Sequence, residues 1–202
     1  MSLIETVNVQ DFGINLEEFN PSLSDYIKSN IDNKVVPESG EVSSAASITR
    51  MDLHADDNEY VRKILDIVLW ITPRVACNIA SNSHMPGSFL EAVSPELIAQ
   101  VSQNSGWHPR AFELTACWGI LYDGAQGVIS HNHFPFTLSF SYYSHTSEES
   151  APLEIENKTI PAKEGNLTLF SSHEQHEVKG EENSGERIAL VGNLSYNPRL
   201  LL

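Results

Sequence analysis

Apolar positions follow two different periods along this chain, and the change falls near Gly106. Upstream of it, Tyr60, Val61, Ile64, Leu65, Val68 and Leu69 recur at the three- and four-residue spacing of one helix face. Asp56 and Asp57 stand where a helix is capped and Pro73 where one is stopped, so the spacing predicts a helix between Asp57 and Pro73. A second helix is predicted from Ser94-Pro95-Glu96, a cap followed by proline at the first helical position, to about Gln103. The first fifty residues keep no sustained period. Their short apolar pieces are divided by Asn20-Pro21-Ser22 and Pro37-Glu38-Ser39-Gly40, which read as turns in an extension packed onto the core.

Beyond Gly106 the texture becomes β-branched and aromatic runs divided by Gly, Asp and Pro. These runs are Phe112 to Tyr122, Val128 to His133, Phe136 to Tyr143, Leu153 to Glu156, Leu167 to Phe170 and Arg187 to Tyr196. Short strands without intervening helices predict an antiparallel sandwich or barrel, hence a mainly β protein with flanking helices. The expected organisation is one domain over 1–202, with the extension at 1–50, mostly helical support at 51–110 and the β core at 111–198.

Composition narrows this picture. A chain of 202 residues with a 41% hydrophobic fraction is enough for a single core. The longest apolar stretch, Ile64 to Ile71, contains Asp66 and is far shorter than the roughly 20 residues a bilayer span requires. With no signal-like N-terminus, the expected location is the cytoplasm and no membrane partner is expected. Cys77 and Cys117 lie forty positions apart, form no CxxC site and read as buried apolar side chains rather than a disulfide framework. The net charge of −15 repels polyphosphate and disfavours nucleic-acid binding, since no basic cluster is visible. An exposed edge strand would support a homodimer.

The sharpest candidate chemistry is His131-Asn132-His133. In an extended strand residues i and i+2 share a face, so both imidazoles can reach one metal ion. A pair of rim histidines near a turn is the plainer alternative. A third ligand would come from the second cluster, Ser172-His173-Glu174-Gln175-His176-Glu177-Val178, where an extended backbone lets at most one of His173 and His176 reach the metal. His54, His84, His108 and His145 have no metal-like spacing, although His145 fits a pocket rim. Arg187 opens an apolar strand whose inner face should exclude charge, and so requires a partner. Either it pairs with Glu186 or Glu182, or its guanidinium grips the carboxylate of a ligand.

Taken in order, these residues resemble the 2-oxoglutarate/Fe(II) dioxygenase superfamily, most closely its prolyl-hydroxylase-like branch and a group of oxygenases from bacteria and phage. The resemblance covers about the last ninety residues. It runs through Tyr122, Gly124 and His131-Asn132-His133-Phe134-Pro135, then Leu138-Ser139-Phe140-Ser141-Tyr142-Tyr143. It continues through Gly165-Asn166-Leu167-Thr168-Leu169-Phe170-Ser171-Ser172, His176-Glu177-Val178, Arg187-Ile188-Ala189-Leu190 and Asn193. His133 stands where the family usually has an aspartate ligand, Phe140 where it has glycine and Ser171 where it has proline.

The resemblance implies a double-stranded β-helix, the jelly-roll or cupin-like fold, and selects His176 over His173. It implies iron(II) on His131, His133 and His176, and 2-oxoglutarate as co-substrate. Arg187 would hold the distal carboxylate, with Tyr122, Tyr143 and Asn193 lining the co-substrate site. The implied activity is hydroxylation of a small molecule or a peptidyl side chain with release of succinate and carbon dioxide. Two alternatives use the same histidines: a cupin-like three-histidine metalloenzyme without 2-oxoglutarate, and a metal-stabilised β-sandwich binding module.

Overall fold

The computed structural model describes residues 4–32, 46–81, 111–123, 126–180 and 185–201. In chain order the strands and α-helices are β1 (Ile4–Asn8), α1 (Leu16–Ser29), β2 (Ser47–Ile48), α2 (Glu59–Ser81), β3 (Phe112–Tyr122), β4 (Val128–His131) and β5 (Leu138–His145). They continue with β6 (Leu153–Ile155), β7 (Lys158–Ile160), β8 (Asn166–Ser171), β9 (His176–Val178) and β10 (Arg187–Tyr196). The strands form a six-stranded sheet in the order β1-β8-β5-β10-β3-β2 and a four-stranded sheet in the order β4-β9-β6-β7, with every strand pair antiparallel. This is a jelly roll, as the resemblance implies.

Two apolar layers hold it together. On one side of the large sheet, Phe19, Leu23 and Ile27 of α1 and Ile64, Val68 and Ile71 of α2 pack with Leu138, Phe140, Tyr142, Leu167, Leu169 and Leu190. Between the sheets lie Trp118, Ile120, Tyr122, Val128, Leu153, Ile155, Phe170 and Val178. Strand alternation divides the work: Tyr142 faces the helices, where its hydroxyl donates to Asn20, whereas Tyr143 faces the other sheet.

The N-terminal segment is more regular than its sequence predicts. It supplies both edges of the large sheet, β1 against β8 and β2 against β3, and α1 runs through Pro21 where a turn was expected. Proline inside a helix costs about 3 kcal/mol, chiefly through the lost bond to the carbonyl four residues back. Burial of Phe19, Leu23 and Ile27, at roughly 1.5–3 kcal/mol each, outweighs that cost. Asn15 caps the helix by accepting from the Glu17 amide. The contact with the sheet is close: a Cβ on Gly119 of β3 would lie 2.5 Å from Ile27 Cγ2, so glycine is what admits α1 there.

Helix α2 also departs from expectation at both ends. Its cap is Asn58, whose Oδ1 accepts from the amides of Tyr60 and Val61 at 3.1 and 3.0 Å. Asp56 binds Arg50 and Tyr26 instead, and Asp57 pairs with Arg62. The helix continues past Pro73 to Ser81, because the buried positions Ile71, Thr72 and Val75 carry its inner face onward. The helix expected over Ser94 to Gln103 lies outside the described residues, as do Pro37-Glu38-Ser39-Gly40 and the side chain of Cys77, whereas Cys117 is buried. No helix among the described residues is long and apolar enough to cross a membrane.

Candidate metal centre

Pairing of β4 with β9 sets His131 directly opposite His176. The register shifts between Val128 and His131, so Ile129 and Ser130 turn outward while Val128 and His131 both point between the sheets. His133 follows two residues later, its amide donating to the Ser172 carbonyl at 2.8 Å. The three side chains thereby converge: one nitrogen from each lies within 4.8 Å of the others. Ring centroids are 4.3 Å apart for His131 and His176, and 4.9 Å for each remaining pair.

Hydrogen bonds orient two of the rings. Nδ1 of His131 is 2.8 Å from the Ile129 carbonyl, and Nδ1 of His176 is 3.1 Å from that of Glu174. A carbonyl only accepts, so each Nδ1 carries the proton and each Nε2 keeps its lone pair for a metal. Burial, reinforced by the neighbouring imidazoles, lowers the pKa of His133 to about 3; burial and His131 lower that of His176 to about 4. Both rings are neutral at physiological pH, the form that binds metals. Packing completes their surroundings: Trp118 meets His133 edge-on at 5.8 Å and Phe170 meets His176 at 4.9 Å.

The same cavity, of about 170 Å³, runs to Arg187 at the start of β10. Arg187 is opposite Tyr122 in the strand register and 3% exposed. Its guanidinium stacks 3.9 Å from the Tyr122 ring centroid and lies 5.8 Å from that of Tyr143, and Nη1 donates to the Ala151 carbonyl. Nε is buried without a hydrogen-bond partner. Among the described residues no carboxylate pairs with it. Glu186, one partner considered from sequence, is bound 2.6 Å from Lys28, and Glu182 lies outside the described residues. An unpaired buried cation with an idle donor is costly unless a ligand completes it.

Tyr122 and Tyr143 line this cavity; Asn193 does not. Its Oδ1 accepts from the Ser139 hydroxyl at 2.8 Å, inside the sheet beyond Val191. His173 is exposed and packs on Phe134, and His145 pairs with Glu164 at 3.1 Å outside the cavity. Trp118 escaped the sequence reading, although its parity with Ile120 and Tyr122 in β3 was the available signal. The remaining wall is largely apolar and includes Ile48, Met51, Val128, Leu153 and Val178.

No family model and no curated protein matches this sequence. Solved structures do. A Pseudomonas putida prolyl-4-hydroxylase superposes with a TM-score of 0.62 at 13% identity, covering 98% of this chain and 94% of that one. A viral collagen prolyl hydroxylase from Paramecium Bursaria Chlorella virus-1, solved with 2-oxoglutarate, gives 0.59 at 12%, covering 95% of each chain. The chain shares the fold of the 2-oxoglutarate/iron(II) oxygenases. The non-heme, alpha-ketoglutarate-dependent epimerase of nogalamycin biosynthesis is also similar, with a TM-score of 0.58 at 13% identity over 96% of this chain and 77% of that one.

Proposed function

We propose that this chain is an iron(II)- and 2-oxoglutarate-dependent oxygenase that hydroxylates a small molecule or a peptidyl side chain, releasing succinate and carbon dioxide. One observation carries the reading: a buried, unpaired guanidinium shares a cavity with three converging imidazoles. His131, His133 and His176 would hold iron on one face, with neutral nitrogen donors suited to a divalent transition metal and an open face for exogenous ligands. Arg187 would fork onto the distal carboxylate of the co-substrate, its idle Nε supplying a donor. Tyr122 and Tyr143 would wall the co-substrate's methylene stem, and the apolar lining would exclude water.

Bound iron and the keto acid would supply the oxidising chemistry, while the protein's task is position and exclusion. The Nδ1 bonds to Ile129 and Glu174 keep two ligands in the metal-binding tautomer. The fold alone does not set the substrate, since prolyl hydroxylases and an epimerase share it.

Three imidazoles without a carboxylate also suit a cupin-like enzyme that uses no 2-oxoglutarate, but that reading leaves Arg187 without a partner. Anaerobic titration of the iron(II)-loaded protein with 2-oxoglutarate separates the two. The weak visible charge-transfer band of a chelated keto acid is expected; its absence with iron bound would transfer the assignment to the cupin-like reading.

A further inference from the structure

The third imidazole is held differently from the other two. His131 and His176 sit on paired strands, and each ring donates to a carbonyl two residues back. His133 lies past the end of β4, and among the described residues no side-chain hydrogen bond fixes its ring. Its backbone instead is tied to Ser172, whose hydroxyl is 2.7 Å from that of Ser139, which in turn donates to Asn193 Oδ1 at 2.8 Å. Ser172 is also anchored by its amide to the Thr137 carbonyl at 3.1 Å. Ser139, Ser172 and Asn193 are 1%, 0% and 2% exposed. A polar chain so deeply buried is stabilising only when its groups are satisfied, and here its last member, Ser172, also accepts through its carbonyl the backbone amide of the one ligand whose ring has no orienting hydrogen bond among the described residues.

We infer that Ser139, Ser172 and Asn193 are positioning residues for His133, joining β5, the end of β8 and β10 to the metal centre. The inference rests on the metal reading above and assigns Asn193 to the support of a ligand rather than to the co-substrate. Indole packing by Trp118 limits the ring on its edge, and the hydroxyl relay sets the height of its backbone. Outer-shell partners of this kind are worth about 10- to 100-fold in metal affinity.

The test is titration of cobalt(II), whose absorption reports ligand geometry, into the metal-free full chain. Wild type must bind cobalt first; failure there would overturn the metal reading itself. Ser139→Ala, which strips the relay of its central hydroxyl, should weaken cobalt binding about 10-fold or more and change its visible spectrum. Ser172→Ala, which cuts the relay where it meets the backbone tie to His133 while leaving the Ser139–Asn193 bond in place, should give a change of the same kind and serves if the first variant does not fold. Ser144→Ala is the control: this hydroxyl is equally buried in the same strand but bonds Ser24 at the other end, outside the relay. If the relay variants lose thermal stability yet bind cobalt with wild-type affinity and spectrum, as Ser144→Ala should, the positioning role is refuted.

Discussion

The two ends of the cavity solve opposite electrostatic problems. At one end three imidazoles meet, and burial holds at least His133 and His176 neutral, so the cluster carries lone pairs without charge. At the other, the guanidinium of Arg187, only 3% exposed, has an aromatic face beneath it and a donor unused. One end awaits a cation and the other an anion. A dianion that chelates a metal through one terminus and ends in a carboxylate answers both, which is why the pair is more informative than either part.

The strongest test of this division removes one end at a time. His176→Ala should abolish stoichiometric metal binding, a loss of at least about 100-fold, since three ligands become two. Metal content and the far-UV spectrum check it, and the fold should persist because the inter-sheet layer is built by other, apolar side chains. Arg187→Leu should keep the metal and weaken 2-oxoglutarate binding about 100-fold, in line with a lost bidentate pair. Thermal unfolding should show the ligand-free variant as stable as wild type or more so, because an unpaired buried charge has been removed.

A smaller effect concerns the imidazole end alone. Folded-state values near 3 and 4 lie below the unfolded value of about 6.5, so between them the unfolded chain binds more protons. Stability of the metal-free protein is therefore fully present above about pH 6.5 and falls as the pH drops toward 4, by about 1 kcal/mol for each of the two histidines at pH 5.5. Denaturant unfolding at pH 7.5 and 5.5 measures the difference. A single His133→Gln substitution should remove about half of it.

Much of this division was legible in the residue order. The runs from Phe112 to Tyr122 and from Arg187 to Tyr196 match β3 and β10, because ten or eleven residues rich in apolar, aromatic and β-branched side chains between turn signals are legible as buried strands. HxH on a strand and an arginine opening another are local patterns whose side-chain direction follows from parity. The short strands β2, β7 and β9, of two or three residues, span too little sequence to show a period. Helix α1 was hidden by Pro21, whose local penalty is overruled by packing that only the tertiary structure reveals. Asn193 illustrates the same limit at the site: the resemblance implies a place for it beside the co-substrate, but it is not among the residues lining the cavity and its Oδ1 accepts from the Ser139 hydroxyl.

The pairing of His131 with His176 across β4 and β9 also makes the centre a matter of counting. Between Val128 and His131 the outward bulge residues can change identity while the two imidazoles still meet. Removing one of them would only straighten the bulge and leave both imidazoles on one face, whereas removing both would turn His131 to the other face and separate the pair. In such an arrangement the parity of a segment is constrained where its letters are free: Ile129 and Ser130 can change identity, and a change of length is excluded only where it alters the face that either imidazole presents.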